Sequence, residues 1–325
     1  MDYKKLVDWL ENRNIPLGEF TTDNIRTVLK FFQKPQDKLN IIHITGTNGK
    51  GSVASFISSS LKENDYKVGK FTSPYITNIC EEIEINGEEI SEKDFAKIAE
   101  EVKEKVELLD KKKIFVSGFE ILTTIAYIYF VRKDVDFAIM EVGMGGRVDA
   151  TNVMKKSIPV FAHISLDHAN ILGDTVGKIA REKGGIIKEN SNVFSYPQDQ
   201  KAKEELQKIC REKNSIFNEF KENEIEILSS DEFGSKFNFR DYKNVEISLI
   251  GEHQIYNASL ALMVLDSLKE KYNLNDEKIK LGIKKAKNLG RIECLSKNPL
   301  IVIDGSHNLD SIEKLVENIK KFKYN

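Results

Sequence analysis

The sequence predicts an α/β fold: a doubly wound, mostly parallel sheet carrying a phosphate-binding loop (P-loop). Three observations carry this reading. Short apolar runs rich in Ile, Val and Phe alternate with helical patterns along most of the chain. Polar clusters fall at the ends of those runs, where a parallel sheet places its ligand crevice. And the segment IIHITGTNGKGS, residues 41–52, passes from an apolar run through a glycine-dense, lysine-bearing turn into a helix.

Taken in order, residues 1–14 read as an amphipathic helix with Leu6, Trp9 and Leu10 inward. Residues 39–44 suit a buried strand, and residues 50–62 place Val53, Phe56, Ile57 and Leu61 at helical spacing. Asn86-Gly87 between Ile83/Ile85 and Ile90 signals a β-hairpin. Residues 91–109 open with a capping serine and carry Asp94 three positions on. A nearly apolar helix is expected over residues 118–130, an antiparallel appendage over 217–250, and helices over 254–268 and about 276–287. The domain joint is placed near residues 291–298, giving a nucleotide-binding domain over 1–296 and the beginning of a second domain over 297–325. Residues 299–325 supply one strand and one helix, whereas an independent α/β domain needs on the order of 100 residues.

A content of 40% hydrophobic and 31% charged residues describes a globular chain, and a net charge of −2 argues against a polyanionic partner or an anionic membrane surface. The longest apolar stretch, residues 119–131, is interrupted by Glu120, Thr123 and Thr124 and is too short to span a bilayer. The N-terminus lacks the apolar core of a signal peptide, so a cytoplasmic protein is expected; a monomer is expected as well. Three scattered cysteines form no CxxC motif and read as reduced structural thiols.

Residues Gly46, Thr47, Asn48, Gly49, Lys50, Gly51 and Ser52 stand where the new helix begins. Free backbone N–H groups and the helix dipole favour an anion there; glycine lets the backbone approach phosphate oxygens, Lys50 adds a point charge, and Ser52 offers a hydroxyl to Mg²⁺. The ligand this implies is a nucleoside triphosphate. The loop is shorter than the common Walker form, since Thr45 and Ile44 stand where its first glycine would fall. Glu141 and His168, each at the end of a strand run, are candidate ligands for a hard cation. His43 and His163 lie within strand runs and read as core or packing histidines.

The GTNGKGS loop resembles that of the Mur ligase superfamily, and its last Gly-Ser pair most resembles the folylpolyglutamate synthase and dihydrofolate synthase branch. FTSP, FE at 119–120, EVGMGGRVDATN, LDH with REKGGIIK downstream, GEHQIYNASLAL, GRIE and DGSHN follow in that family's order over essentially the whole chain. The resemblance implies a central Mur-ligase-type domain followed by a Rossmann-like one, here expected to be cut short. It implies that Ser73, Glu141 and His168 hold Mg²⁺, and that Lys183 is carbamylated; read without it, Lys183 is a solvated helix lysine and Arg291 a surface arginine. It also implies that Asn257, Arg291, Asp304 and His307 contact ATP. The pterin would meet Ser117, Gly118, Phe119, Glu120, Val148, Asp149 and Ala150. Lys50, Lys183 and His168 then form the catalytic group. The chain departs from the family pattern at Ser117 (usually threonine), at Gly184 and Ser306 (usually alanine) and at Glu82, where a basic residue is usual.

The activity implied is ATP-dependent addition of L-glutamate to dihydropteroate or to a folate's terminal glutamate through an acyl phosphate. Three alternatives remain at this stage. Another Mur-type ligase would carry an N-terminal substrate domain, yet Leu39 already opens the first strand run. An unrelated P-loop kinase or GTPase would need a longer loop. A nucleotide-binding remnant without ligase activity fits the short second domain, and on that ground ATP binding through residues 46–52 with weak glutamate ligation is expected.

Overall fold

The computed structural model describes residues 2–13, 21–167, 169–297, 300–320 and 322. Helices α1 (Tyr3–Glu11) and α2 (Asp23–Phe31) precede strand β1 (Ile41–Thr45), which leads through the glycine loop to α3 (Lys50–Glu63) and β2 (Val68–Phe71). The hairpin β3 (Ile83–Ile85) and β4 (Glu88–Glu89) is followed by α4 (Glu92–Asp110), α5 (Gly118–Arg132), β5 (Phe137–Glu141) and β6 (Ile158–Phe161). Then come α6 (Ala169–Leu172), α7 (Val176–Gly184), β7 (Asn192–Ser195), α8 (Gln200–Glu212) and β8 (Ile216–Glu219). Three strands, β9 (Ile225–Asp231), β10 (Gly234–Phe239) and β11 (Tyr242–Ile247), precede α9 (Glu252–Tyr272) and α10 (Asp276–Lys285). The last elements are β12 (Glu293–Lys297), β13 (Leu300–Ile303) and α11 (Leu309–Ile319).

Among the described residues the main sheet has eight strands in the order β4-β3-β2-β5-β1-β6-β7-β8. From β2 through β8 in that order the pairing is parallel, while β3 pairs antiparallel with both β2 and β4. The chain leaves β1 toward one edge, and after β5 it crosses β1 to reach β6, so β1 lies at the switch of direction where such sheets hold ligands. Both faces are covered, as a parallel sheet requires. In β5 the side chains alternate accordingly: Phe137 and Ile139 join the core with α3, α9 and α10, while Ala138 and Met140 join the one with α1, α2, α4 and α5. A smaller cluster places α7 and α8 against Val142 and Phe161.

Local chemistry sets several boundaries. Asn86 and Gly87 both adopt positive φ (54° and 80°), the requirement of the two-residue hairpin turn expected there. Ser91 accepts from the Asp94 N–H and starts α4. Ser117 and Glu120 form a reciprocal capping box at the head of α5. The expected appendage over 217–250 needs correction at its start: β8 follows the α8 crossover and pairs parallel with β7, so only β9–β11 form the separate antiparallel sheet. Strand periodicity identifies a strand but not its partner, and the preceding helix decided the pairing. β12 and β13 form an antiparallel hairpin, so a line between residues 296 and 297 cuts β12 just before its last residue. No helix among the described residues is long and apolar enough to cross a membrane.

Candidate active site

Because β5, β1 and β6 are adjacent and parallel, the residues that follow Glu141, Thr45 and Phe161 meet at one end of the sheet. They form a cleft of about 490 Å³. The whole glycine loop, residues 46–52, lines it, and so do Ser73, Glu141, Lys183, Asn257, Arg291, Asp304 and His307. His168 lies outside the described residues.

The loop is held from several sides. Gly49 caps α3 at φ 88°, and a Cβ there would sit 2.6 Å from the Asn257 Oδ1. Gly46 lies so close to Ala162 that a Cβ would approach its side chain to 2.8 Å. Lys50 Nζ donates to the Gly46 and Thr47 carbonyls, each at 3.2 Å, and stands 4.0 Å from Glu141 Oε1. Asn288, from the segment after α10, donates to the Ser52 hydroxyl at 3.0 Å.

Electrostatically the cleft is mixed. Glu141 is buried, and its Oε2 has no hydrogen-bond partner. Burial raises its carboxyl above the usual range, against the opposing pull of Lys50, Arg291 and Lys70. Lys183 is buried as well, donating to the Gly46 carbonyl at 2.9 Å. Burial, then the nearby Lys50 charge, pushes it down to about 7. The solvated-lysine reading therefore does not hold. No group of three or more His, Cys, Asp or Glu side chains converges as a cation site among the described residues. An orphaned carboxylate oxygen beside a phosphate-type loop nonetheless has the donor chemistry that a hard cation takes.

Asp304 and His307 enter the cleft already partnered. Asp304 accepts from the Ile292 and Ser306 N–H groups, each at 2.8 Å, and His307 Nδ1 donates to the Gly305 carbonyl at 2.9 Å. Residues 117–120 and 148–150 do not line this cleft. Their polar groups have internal partners: Glu120 accepts from Ser117 and from the Ile25 N–H, and Asp149 from the Met144 and Thr151 N–H groups. Gly143 separates them from the cleft, since a Cβ there would lie 2.7 Å from Phe119 and 3.4 Å from Asp149 Oδ2.

His163 requires correction. Its position in a strand run suggested packing, but it lines the cleft, with Nδ1 3.2 Å from Asp310 Oδ2 and its ring against Tyr196. It falls two residues past the end of β6, and that small difference in strand length changed its role. His43 is fully buried as expected, its Nε2 2.8 Å from Thr151 Oγ1. Asn288, Gln254 and Asp310, none of them expected at the site, also line the cleft, and Asn308 bonds to the loop beside it. DGSHN marked this neighbourhood, but nothing in the residue spacing told which side chains return to the loop.

Residues 44–265 match the family model described as Mur ligase middle domain. The chain is 36% identical over 296 residues to a dihydrofolate synthase/folylpolyglutamate synthase of Bacillus subtilis, covering 88% of this chain and 69% of that one. The apo form of L. casei FPGS superposes with a TM-score of 0.92 at 30% identity, covering 100% of this chain and 82% of that one. An FPGS–AMPPCP–folate complex gives 0.90 at 31%, covering 98% and 80%. On fold, motif order and identity together, the chain belongs to the folylpolyglutamate synthase/dihydrofolate synthase family of Mur-type ligases.

Proposed function

We propose that this chain is an ATP-dependent ligase that joins L-glutamate to dihydropteroate or to the terminal glutamate of a folate. The observation that carries the reading is the convergence of the glycine loop, Lys50, Glu141 and Lys183 in one cleft at the switch point of the sheet, in a chain of this family. A relative of similar fold is described as a complex with AMPPCP and folate, the pair of ligands this reading requires.

In this reaction the substrate carboxylate attacks the γ-phosphorus of ATP, and ADP leaves. The amine of glutamate then attacks the acyl phosphate, a C–N bond forms, phosphate departs and the nitrogen releases a proton. Catalysis by the chain is positioning and charge neutralisation. The loop amides and Lys50 hold the phosphates. Asn257 and Arg291 stand on the walls of the same cleft, with Asp304 and His307 brought in from the C-terminal segment. Mg²⁺ would be held by Glu141 and Ser73, with His168 assigned by resemblance, and when bound it offsets charge on the transferring phosphoryl group. The lowered proton affinity of Lys183 supplies the neutral amine that carbamylation needs: the nitrogen bonds to CO₂, one proton leaves, and the neutral amine becomes an anionic oxygen donor. The pterin is assigned to residues 117–120 and 148–150, behind Gly143. The division at 296/297 remains part of this reading, with the second part lending Asp304 and His307.

Docking of Asp304 and His307 in the cleft favours a ligase over a remnant that merely holds nucleotide. The test is phosphate release with ATP, glutamate and either dihydropteroate or tetrahydrofolate, each component omitted in turn. Release that needs all three is expected. Equal release without the pterin or without glutamate would overturn the proposal.

A further inference from the structure

The helix α11 begins with a set of polar contacts that none of the roles above uses. Asp310, in its first turn, accepts at Oδ2 from Asn48 Nδ2 at 2.7 Å and from Ser165 Oγ at 3.5 Å, and lies 3.2 Å from His163 Nδ1. The preceding residue but one, Asn308, exchanges amide bonds with Asn48: its Nδ2 donates to Asn48 Oδ1 at 3.1 Å, and Asn48 Nδ2 lies 3.4 Å from Asn308 Oδ1. Asn48 belongs to the phosphate loop, and its backbone is already bound to the segment after β6. The Thr47 and Asn48 N–H groups both donate to the His163 carbonyl, at 2.7 and 3.2 Å. Thr47 Oγ1 donates to the Ser165 carbonyl at 3.0 Å.

One carboxylate oxygen on α11 thus joins the loop after β1 to the segment after β6. Both side chains of the His163–Asp310 pair are about two-thirds shielded from solvent. The bond from His163 holds the Asp310 carboxyl down to about 2, so the acid is ionised at any working pH. At the far end of the helix, Asn318 is buried beside Gly251, so α11 is seated at two points.

From this geometry we propose that Asp310 is a positioning residue. By gripping Asn48 and His163 together it locks the phosphate loop to α11, and therefore to the segment that carries Asp304 and His307. The loop and the C-terminal segment then adopt their working arrangement as one unit. The structural part of this inference stands without the ligase reading; its kinetic part rests on that reading.

Asp310→Ala in the full chain tests it, with Asp310→Asn as a second variant that keeps a neutral acceptor for Asn48 but loses the charge facing His163. Hydrogen exchange followed by mass spectrometry on the nucleotide-free proteins should show faster exchange in residues 306–320 and 46–49, by about tenfold for Ala and less for Asn, with β5 and α5 unchanged. In turnover, kcat should fall by about tenfold while the KM for ATP moves less than about threefold, because Lys50 and the loop amides remain. A double variant with His163→Ala should lose little beyond Asp310→Ala alone, since both act through one contact. Unchanged exchange in both segments, or losses in kcat that multiply in the double variant, would overturn the proposal. Altered exchange in a protein whose parent shows no ATP turnover would leave the latch standing and count against the ligase reading instead.

Discussion

At the scale of single residues, two lysines in the cleft have opposite situations. Lys50 keeps part of its side chain open to the cleft, where its charge faces both the ligand space and Glu141. Lys50→Ala should abolish ATP turnover while costing about 0.5–3 kcal/mol of unfolding free energy, since two backbone hydrogen bonds and the charge facing Glu141 are lost but no apolar packing is. Phosphate release and denaturant unfolding check both halves. Lys183 is buried, and its proton affinity falls from 10.5 to about 7. Between those values the unfolded chain binds a proton that the folded chain does not, so this residue makes stability rise with pH across that window. Below it, the folded protein carries the full cost of a buried ammonium. Lys183→Met should therefore stabilise the chain in CO₂-free buffer by on the order of a few kcal/mol near pH 7, with the gain shrinking toward pH 10. A difference that does not vary with pH would contradict this assignment. Residues with strong local chemistry were legible in the sequence: Gly49, Lys50 and Glu141 stand where strand ends and glycines placed them. His163 and Asp310 were not, because their contact joins chain positions that no periodicity relates.

At the scale of elements, the helices were legible from spacing and caps, and α3, α4 and α5 begin within about a residue of the expected starts. Less legible were contacts that depend on a missing side chain. Gly282 of α10 lies against α3, where a Cβ would approach the Ser60 Cα to 2.3 Å and its N to 2.5 Å. Those are backbone atoms and cannot rotate away. Gly282→Ala should force the two helices apart and cost about 1–3 kcal/mol, as overpacking does. Chemical denaturation measures it; a neutral or stabilising effect would show that α10 does not pack on α3 this closely. In a sequence a helical glycine signals only reduced helical propensity, since a one-residue void on one helix says nothing about which backbone fills it. The partner of β8 was illegible for a related reason: Phe217 begins a run with β character, and only the crossover through α8 makes its pairing parallel.

For the whole molecule, alternation of strands and helices gave the class of fold, and polar clusters at strand ends marked the cleft. The direction-switch position of β1 explains why: loops after β1, β5 and β6 emerge side by side whatever their sequence separation. The seating of α11 on the glycine loop depends on an amide and carboxylate network formed only once distant segments meet. The central claim, an acyl phosphate made and consumed in this cleft, is tested most directly by an isotope-transfer experiment. Dihydropteroate labelled with oxygen-18 in its carboxylate is incubated with the chain, ATP and glutamate, and the phosphate and the glutamylated product are weighed by mass spectrometry. The account predicts one labelled oxygen in the phosphate for each glutamate joined, because the carboxylate oxygen that attacks the γ-phosphorus leaves with it. Glutamylated product accompanied by unlabelled phosphate, or phosphate released with no product, would contradict it.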